Sequence, residues 1–213
     1  MSKKILIFDF DGTIADSRNI ILETINKLSE KYGYKSIQNG NIEELRNKTI
    51  KELFQILRIP WIKLPLLLIE YRKKYSQQIS LLKPIIGIKE VLTRLQNKGC
   101  ELALVTSNSK ENVRDFLQKN NIRVFNNIRA GLGLFGKSSV LNKLIREKNY
   151  NKEEVFYIGD EVRDIEASNR IGIEVIAVTW GFQSKSILKK YKPNYLVDTP
   201  NELYQVVTAN SEK

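Results

Sequence analysis

The feature that most constrains this chain is a rhythm of short apolar runs separated by helix-length amphipathic segments. The first run, Ile5 to Phe10, ends in carboxylates and Gly12. Others lie at Glu101 to Thr106, Val155 to Ile158 and Glu174 to Val178. Runs without polar alternation must be covered on both faces, which is the situation of buried parallel strands. The segments between the later runs, Ile88 to Lys98, Lys110 to Asn120, Ser138 to Lys148 and Arg163 to Ile171, have helical spacing. This alternation predicts βαβ units and an open, mostly parallel sheet covered by helices on both faces. Tyr195 to Val197 adds a last strand and Asn201 to Val207 a closing helix.

Residues 17–83 break the rhythm. Ile21, Ile25 and Leu28 share one helical face, and Leu53, Phe54, Ile56 and Leu57 populate another short helix, with no buried strand between them. The interval reads as a helical insertion, and Pro84-Ile85-Ile86-Gly87 marks the return to the main domain. The expected class is therefore α/β: a Rossmann-like core of residues 1–16 and 84–213, interrupted by a small helical domain at 17–83. A length of 213 residues suits one core plus a modest insertion. Trp61, Tyr71 and the run from Leu64 to Ile69 are expected to pack within the insertion or at a dimer contact rather than to contact a substrate.

Composition narrows the chemistry. The chain has no histidine, which removes His-based triads, His general bases and His metal ligands. Its single cysteine, Cys100, has no intramolecular partner for a disulfide, and the N-terminus runs into a strand without a secretory apolar region; both point to a reduced, cytoplasmic protein. The most apolar run, Leu64 to Ile69, falls far short of the ~20 residues that span a bilayer. Lys and Arg exceed Asp and Glu by 35 to 24, but the basic spots are short and scattered, with no nucleic-acid motif among them. A positive field of this kind favours the approach of phosphorylated substrates rather than a nucleic-acid partner.

Groups that follow different strands of an open parallel sheet converge on one crevice. Four such places carry compatible chemistry: Asp9 and Asp11, Thr106-Ser107-Asn108, Lys137, and Asp160 with Asp164. Carboxylates gathered in one crevice repel unless a cation lies among them. Asp9, a backbone carbonyl near Asp11, Asp160 and waters form the all-oxygen set that suits Mg²⁺, with Asp164 ligating directly or orienting a bound water. A phosphoryl group also needs donors and positive charge, which Thr106, the N–H groups of Ser107 and Asn108, and Lys137 can supply. Asp9 is then the expected nucleophile, forming an aspartyl-phosphate, and Asp11 the acid and base for the leaving oxygen and the water.

With Asp9-x-Asp11-Gly12-Thr13, Thr106 after an apolar strand, Lys137 and Gly159-Asp160-x-x-x-Asp164 in this order, the sequence resembles the haloacid dehalogenase superfamily, in its phosphoglycolate-phosphatase-like branch. The resemblance spans nearly the whole chain. It implies a Mg²⁺-dependent phosphatase whose insertion is a substrate-selecting cap, acting on a small phosphorylated metabolite, with 2-phosphoglycolate the first substrate in view. A sugar phosphomutase, a nucleotidase and a pyrophosphatase would use the same core residues, and a non-catalytic phospholigand binder the same crevice. A monomer and a homodimer both fit. Glu161 departs from the small hydroxyl residue that many relatives carry there, adding negative charge beside Asp160. Thr179-Trp180-Gly181-Phe182 also resembles a loop of the same branch.

Overall fold

Along β1 (Ile5–Phe8) all four side chains are buried, and successive ones enter different cores. The computed structural model describes residues 3–131 and 136–209. In it β1, β2 (Glu101–Val105), β3 (Phe125–Arg129), β4 (Val155–Gly159), β5 (Glu174–Val178) and β6 (Tyr195–Val197) form a single sheet in the order β3-β2-β1-β4-β5-β6. Every neighbouring pair is parallel. The strand that the sequence pattern does not announce is β3. Its residues Phe-Asn-Asn-Ile-Arg are partly exposed at the sheet edge, so no continuous apolar run is required of them.

After β1 the chain leaves the sheet through α1 (Arg18–Tyr32), α2 (Ile42–Leu45), α3 (Ile50–Ile56) and α4 (Leu64–Ser76). Gly33, at φ 72°, ends α1 in the left-handed turn that glycine adopts without penalty. At α3, Thr49 accepts from the Glu52 backbone N–H while the Glu52 carboxylate accepts from the Thr49 N–H, a reciprocal cap. These helices bury their own cluster, with Leu28, Tyr34, Leu45, Leu53, Leu57 and Leu67 at its centre. The outgoing and returning segments lie side by side. Asp16 N–H donates to Lys83 C=O (2.9 Å), Ile85 N–H donates to Ile14 C=O (2.9 Å), and Ala15 and Pro84 form an antiparallel bridge.

The remaining helices divide between the two sheet faces. Leu6, Phe8, Leu102, Leu104, Phe156 and Ile158 pack with α5 (Ile88–Asn97), α6 (Lys110–Lys119) and α10 (Pro200–Ala209). Ile5, Ile7, Ala103, Val105, Val155 and Tyr157 pack with α7 (Lys137–Glu147), α8 (Val162–Ile171) and α9 (Lys185–Lys190). Chain connections thus run to opposite faces on either side of β1, and the sheet opens a crevice at the carboxyl ends of β1, β2 and β4. Among the described residues no helix is long and apolar enough to cross a membrane.

Candidate active site

The site begins where β1 ends. Asp9 extends the ladder by one bond, its N–H donating to Ile158 C=O (2.8 Å), and is 2% exposed. Its Oδ1 accepts from the Phe10 N–H (2.8 Å) and its Oδ2 from Lys137 Nζ (2.7 Å). Gly12, at φ 74°, then turns the chain so that Asp11 meets a different environment. Asp11 Oδ1 accepts from the Tyr75 hydroxyl on α4 and Oδ2 from Asn108 Nδ2 (2.9 Å). Burial pushes the Asp11 carboxyl up in pKa; the hydrogen bonds from Tyr75 and Asn108 oppose this without cancelling it, and neighbouring Asp9 adds to the rise. The two early carboxylates are therefore differentiated, one against a lysine and the other against two neutral donors.

Lys137 opens α7, and its ammonium bridges Asp9 Oδ2 and Asp164 Oδ1 (2.5 Å) while itself buried. Burial works against its charge, but Asp164 and Asp9 outweigh burial and hold its pKa above the ordinary lysine value. Part of the preceding loop, residues 132–135, lies outside the described residues, yet the side chain's position in the crevice is defined by these two contacts. Asp164, in the first turn of α8, also accepts from the Glu161 N–H at Oδ2 (3.0 Å).

Asp160 sits just past β4. Oδ1 accepts from the Thr13 hydroxyl (3.0 Å) and Oδ2 from the Phe182 N–H (2.7 Å). The carboxylate is so closely enclosed that a Cβ on Gly12 or Gly181 would come within 2.3 Å of its atoms. Trp180 Nε1 donates to Thr13 C=O (3.2 Å), which ties the 179–183 loop to the β1 turn. Arg46 Nε of the insertion donates to Phe182 C=O (3.1 Å), and Gln183 Nε2 of the loop donates to Lys48 C=O of the insertion (2.7 Å). The loop that holds Asp160 is thus also the loop on which the insertion rests.

Carboxylate oxygens of Asp9, Asp160 and Asp164 lie within 4.8 Å of one another, all three residues buried. Burial, followed by repulsion from Glu161, Asp164 and Asp9, drives the Asp160 pKa well up, and burial lifts Asp164 to about 6 despite Lys137 beside it. Such a set is short of positive charge. An oxygen-only cluster of this kind could hold a hard divalent cation, and its composition fits one. The Asp11 carboxylate is not part of the cluster, because Tyr75 and Asn108 hold it away.

Glu161 accounts for its own charge by pairing with Arg163, whose guanidinium is held firmly protonated: burial alone would lower its pKa, and Glu161, Asp9 and Asp164 more than offset that. At the end of β2, buried Thr106 accepts from the Asn108 N–H at Oγ1 (3.1 Å). The Asn108 N–H, expected among the phosphate donors, is spent there. The Asn108 side chain instead steadies Asp11 and accepts from Ser109 N–H and Asn112 Nδ2 (both 2.8 Å). Ser107 and Asn108 line a cavity of about 200 Å³ that runs from Asp11 into the insertion, past Tyr71 and Tyr75, which stack at 5.9 Å.

Tyr75, Arg46, Trp180 and the Phe182 N–H are the participants that strand-end reasoning misses. Trp180 and Phe182 lie in the segment already singled out by resemblance; Tyr75 and Arg46 carry no local signal.

An open parallel sheet with an acidic crevice, a buried lysine and a helical insertion after β1 defines a hydrolase of the phosphoryl-transfer type. The model of the haloacid dehalogenase-like hydrolases matches residues 6–178, and the chain belongs to that family. It is 31% identical over 205 residues to a phosphoglycolate phosphatase of Synechococcus elongatus, covering 95% of this chain and 96% of the relative. It is 20% identical to the pyrophosphatase PpaX of Bacillus cereus, with 95% of each chain covered. Among solved structures, a haloacid dehalogenase-like hydrolase of Streptococcus pneumoniae superposes with a TM-score of 0.81 at 22% identity, over 96% of this chain and 98% of the other.

Proposed function

We propose that the chain is a Mg²⁺-dependent phosphatase that hydrolyses a small phosphate monoester through an aspartyl-phosphate on Asp9. The observation that carries this reading is the differentiation of Asp9 from Asp11: two acids two residues apart, one paired with an ammonium and one removed from any cation, held by two neutral donors and raised in pKa by desolvation. Asp9 Oδ attacks phosphorus as the bond from phosphorus to the leaving oxygen breaks, and Asp11 donates its proton to that oxygen, releasing the alcohol. A water then attacks the phosphoryl group, Asp11 takes its proton, the bond from Asp9 to phosphorus breaks, and inorganic phosphate departs.

Asp9 and Asp160, the backbone carbonyl at Asp11, and Asp164 directly or through water would hold the cation. Bound there, it would neutralise the carboxylates and the charge on the phosphoryl oxygens. In this reading Thr106, Ser107 and Lys137 supply the hydroxyl, N–H and ammonium for the non-bridging oxygens, with Asp164 keeping Lys137 in place. Residues 17–83 act as a cap over this crevice, and residues 1–16 and 84–213 as the catalytic domain.

The named activities of the relatives make 2-phosphoglycolate and pyrophosphate the first two compounds to assay. The test is a screen of phosphate monoesters, nucleotides, pyrophosphate and sugar phosphates with Mg²⁺, run beside Asp9→Asn. Phosphate release by the native chain and none by the folded variant is expected. Equal release by both sinks the nucleophile assignment, and phosphate returned to a sugar bisphosphate rather than to water would make the chain a mutase.

A further inference from the structure

The space beyond Asp11 is chemically unlike either of those first compounds. Beyond Asp11, Ser107 and Asn108 the cavity is walled by the interior of the insertion, with Ile25, Leu28, Leu53, Leu67, Leu68 and Tyr71 among its lining. Several of these belong to the insertion's own hydrophobic cluster, so the cavity is a gap in an apolar core opening onto the crevice.

The charged groups that line it offer little to a second anion. The Arg163 charge is balanced by Glu161, and Arg72, the other cation of the lining, is exposed and solvated rather than enclosed with the apolar wall. Of the polar groups near its mouth, Tyr75 and Asn108 are committed to Asp11 and the Asn112 side chain to Asn108, and the hydroxyls of Ser107 and Ser109 carry no charge. A carboxylate or second phosphate placed against the apolar wall would lose its hydration without gaining an enclosed, unbalanced counter-charge, which is costly. An alkyl or aryl group placed there loses only unfavourable contact with water.

We infer that the substrate is the phosphate monoester of an uncharged, largely apolar alcohol, whose hydrocarbon part occupies this cavity while its phosphate lies at Asp9. The inference rests on the phosphatase reading above. It turns the insertion from a generic cover into a selector for hydrocarbon.

The test is kcat/KM for Mg²⁺-dependent phosphate release from methyl, ethyl, n-propyl and n-butyl phosphate, alongside 2-phosphoglycolate and pyrophosphate. The expected result is a rise of about fourfold per added methylene, as full burial of each group implies. 2-Phosphoglycolate and pyrophosphate are expected to fall at least about tenfold below n-butyl phosphate, the least that withholding a counter-charge from a buried anion should cost. Leu68→Trp, which places an indole in the same space, is expected to flatten the series. A flat series in the native chain, or a preference for 2-phosphoglycolate or pyrophosphate, overturns the inference and leaves the phosphatase reading standing. Absence of Asp9-dependent phosphate release from every compound overturns both.

Discussion

The hydroxyl of Tyr75, on the last turn of the inserted helix α4, donates to Asp11 Oδ1 at the exit of β1. The acid proposed to protonate the leaving oxygen is thus held from the insertion on one side and by Asn108 of the core on the other. Tyr75 is 3% exposed, so this contact is made out of water, where a hydrogen bond to a carboxyl counts for most. Tyr75→Phe keeps the ring and its stacking on Tyr71 but frees one carboxyl oxygen. A fall in kcat of about tenfold to a hundredfold is expected, as when a buried acceptor is left without its donor, with KM little changed. Steady-state kinetics on any active monoester decides it, and an unaltered kcat removes Tyr75 from the positioning of Asp11.

Lys137 balances two buried carboxylates at once. Lys137→Met removes that balance while roughly preserving length, so in chelator the folded state should lose about 3–5 kcal/mol, as when one partner of a buried pair is taken away. Denaturant unfolding with and without Mg²⁺ checks this, and the cation should recover part of the loss because it supplies the missing positive charge. A variant as stable as the parent in chelator would show that the carboxylates find another partner.

Gly181 and Gly12 press on Asp160 from two sides. Gly181→Ala brings a methyl group within 2.3 Å of the Asp160 side chain, and Gly12→Ala adds the same intrusion to a backbone at φ 74°. Both variants should displace the Asp160 carboxylate, weaken Mg²⁺ dependence and lower stability by about 1–3 kcal/mol, the usual cost of overpacking. Alanine at Gly40, where a Cβ meets nothing within 4 Å, is the control. Metal titration followed by thermal unfolding reads the outcome, and an unchanged Mg²⁺ requirement in Gly181→Ala would count against Asp160 as a ligand.

Asp164 gives the pH dependence a sign. Its pKa is lifted from 3.8 to about 6, so between those values the folded chain holds a proton that the unfolded chain has released. Stability from this group falls as pH rises through the window, and the deficit is fully present above it. Without divalent cation, the native chain should therefore lose stability relative to Asp164→Asn as pH is raised from about 4 to about 6, the two limits of the linkage. Added Mg²⁺ should stabilise the native chain more at neutral pH than at pH 4.5, since the proposed ligands are carboxylates that bind a cation when ionised. Equal stabilisation at both pH values would be inconsistent with cation binding by this cluster.

The parts of the fold legible in the sequence are those whose burial is complete. β1, β2, β4 and β5 are apolar because both their faces are covered, and the acids at their ends stand out against that background. β3 escaped for the complementary reason: an edge strand with Asn126 and Asn127 in its middle has no need of an apolar run. In the candidate site, the meeting of Asp9, Lys137, Asp160 and Asp164 was legible because topology brings strand ends and the helix starts that follow them together. Tyr75 was not, because it meets Asp11 across 64 residues of chain, and that meeting depends on how an insertion without strands folds back. Nor did the sequence separate the roles of the Asn108 groups: its N–H turns to Thr106 and its amide to Asp11, a choice made by the local loop geometry.

The bridge between Ala15 and Pro84 has a consequence for how such a chain can change over generations. Excising everything between those two residues leaves ends that already touch, so a brief loop could close the gap at little entropic cost. A segment of different length or sequence could be spliced in at the same seam without moving a strand. The sheet and the insertion are thereby written in separable stretches of the gene, and recombination can exchange the second while the first is inherited intact, provided the new segment again brings a donor to Asp11.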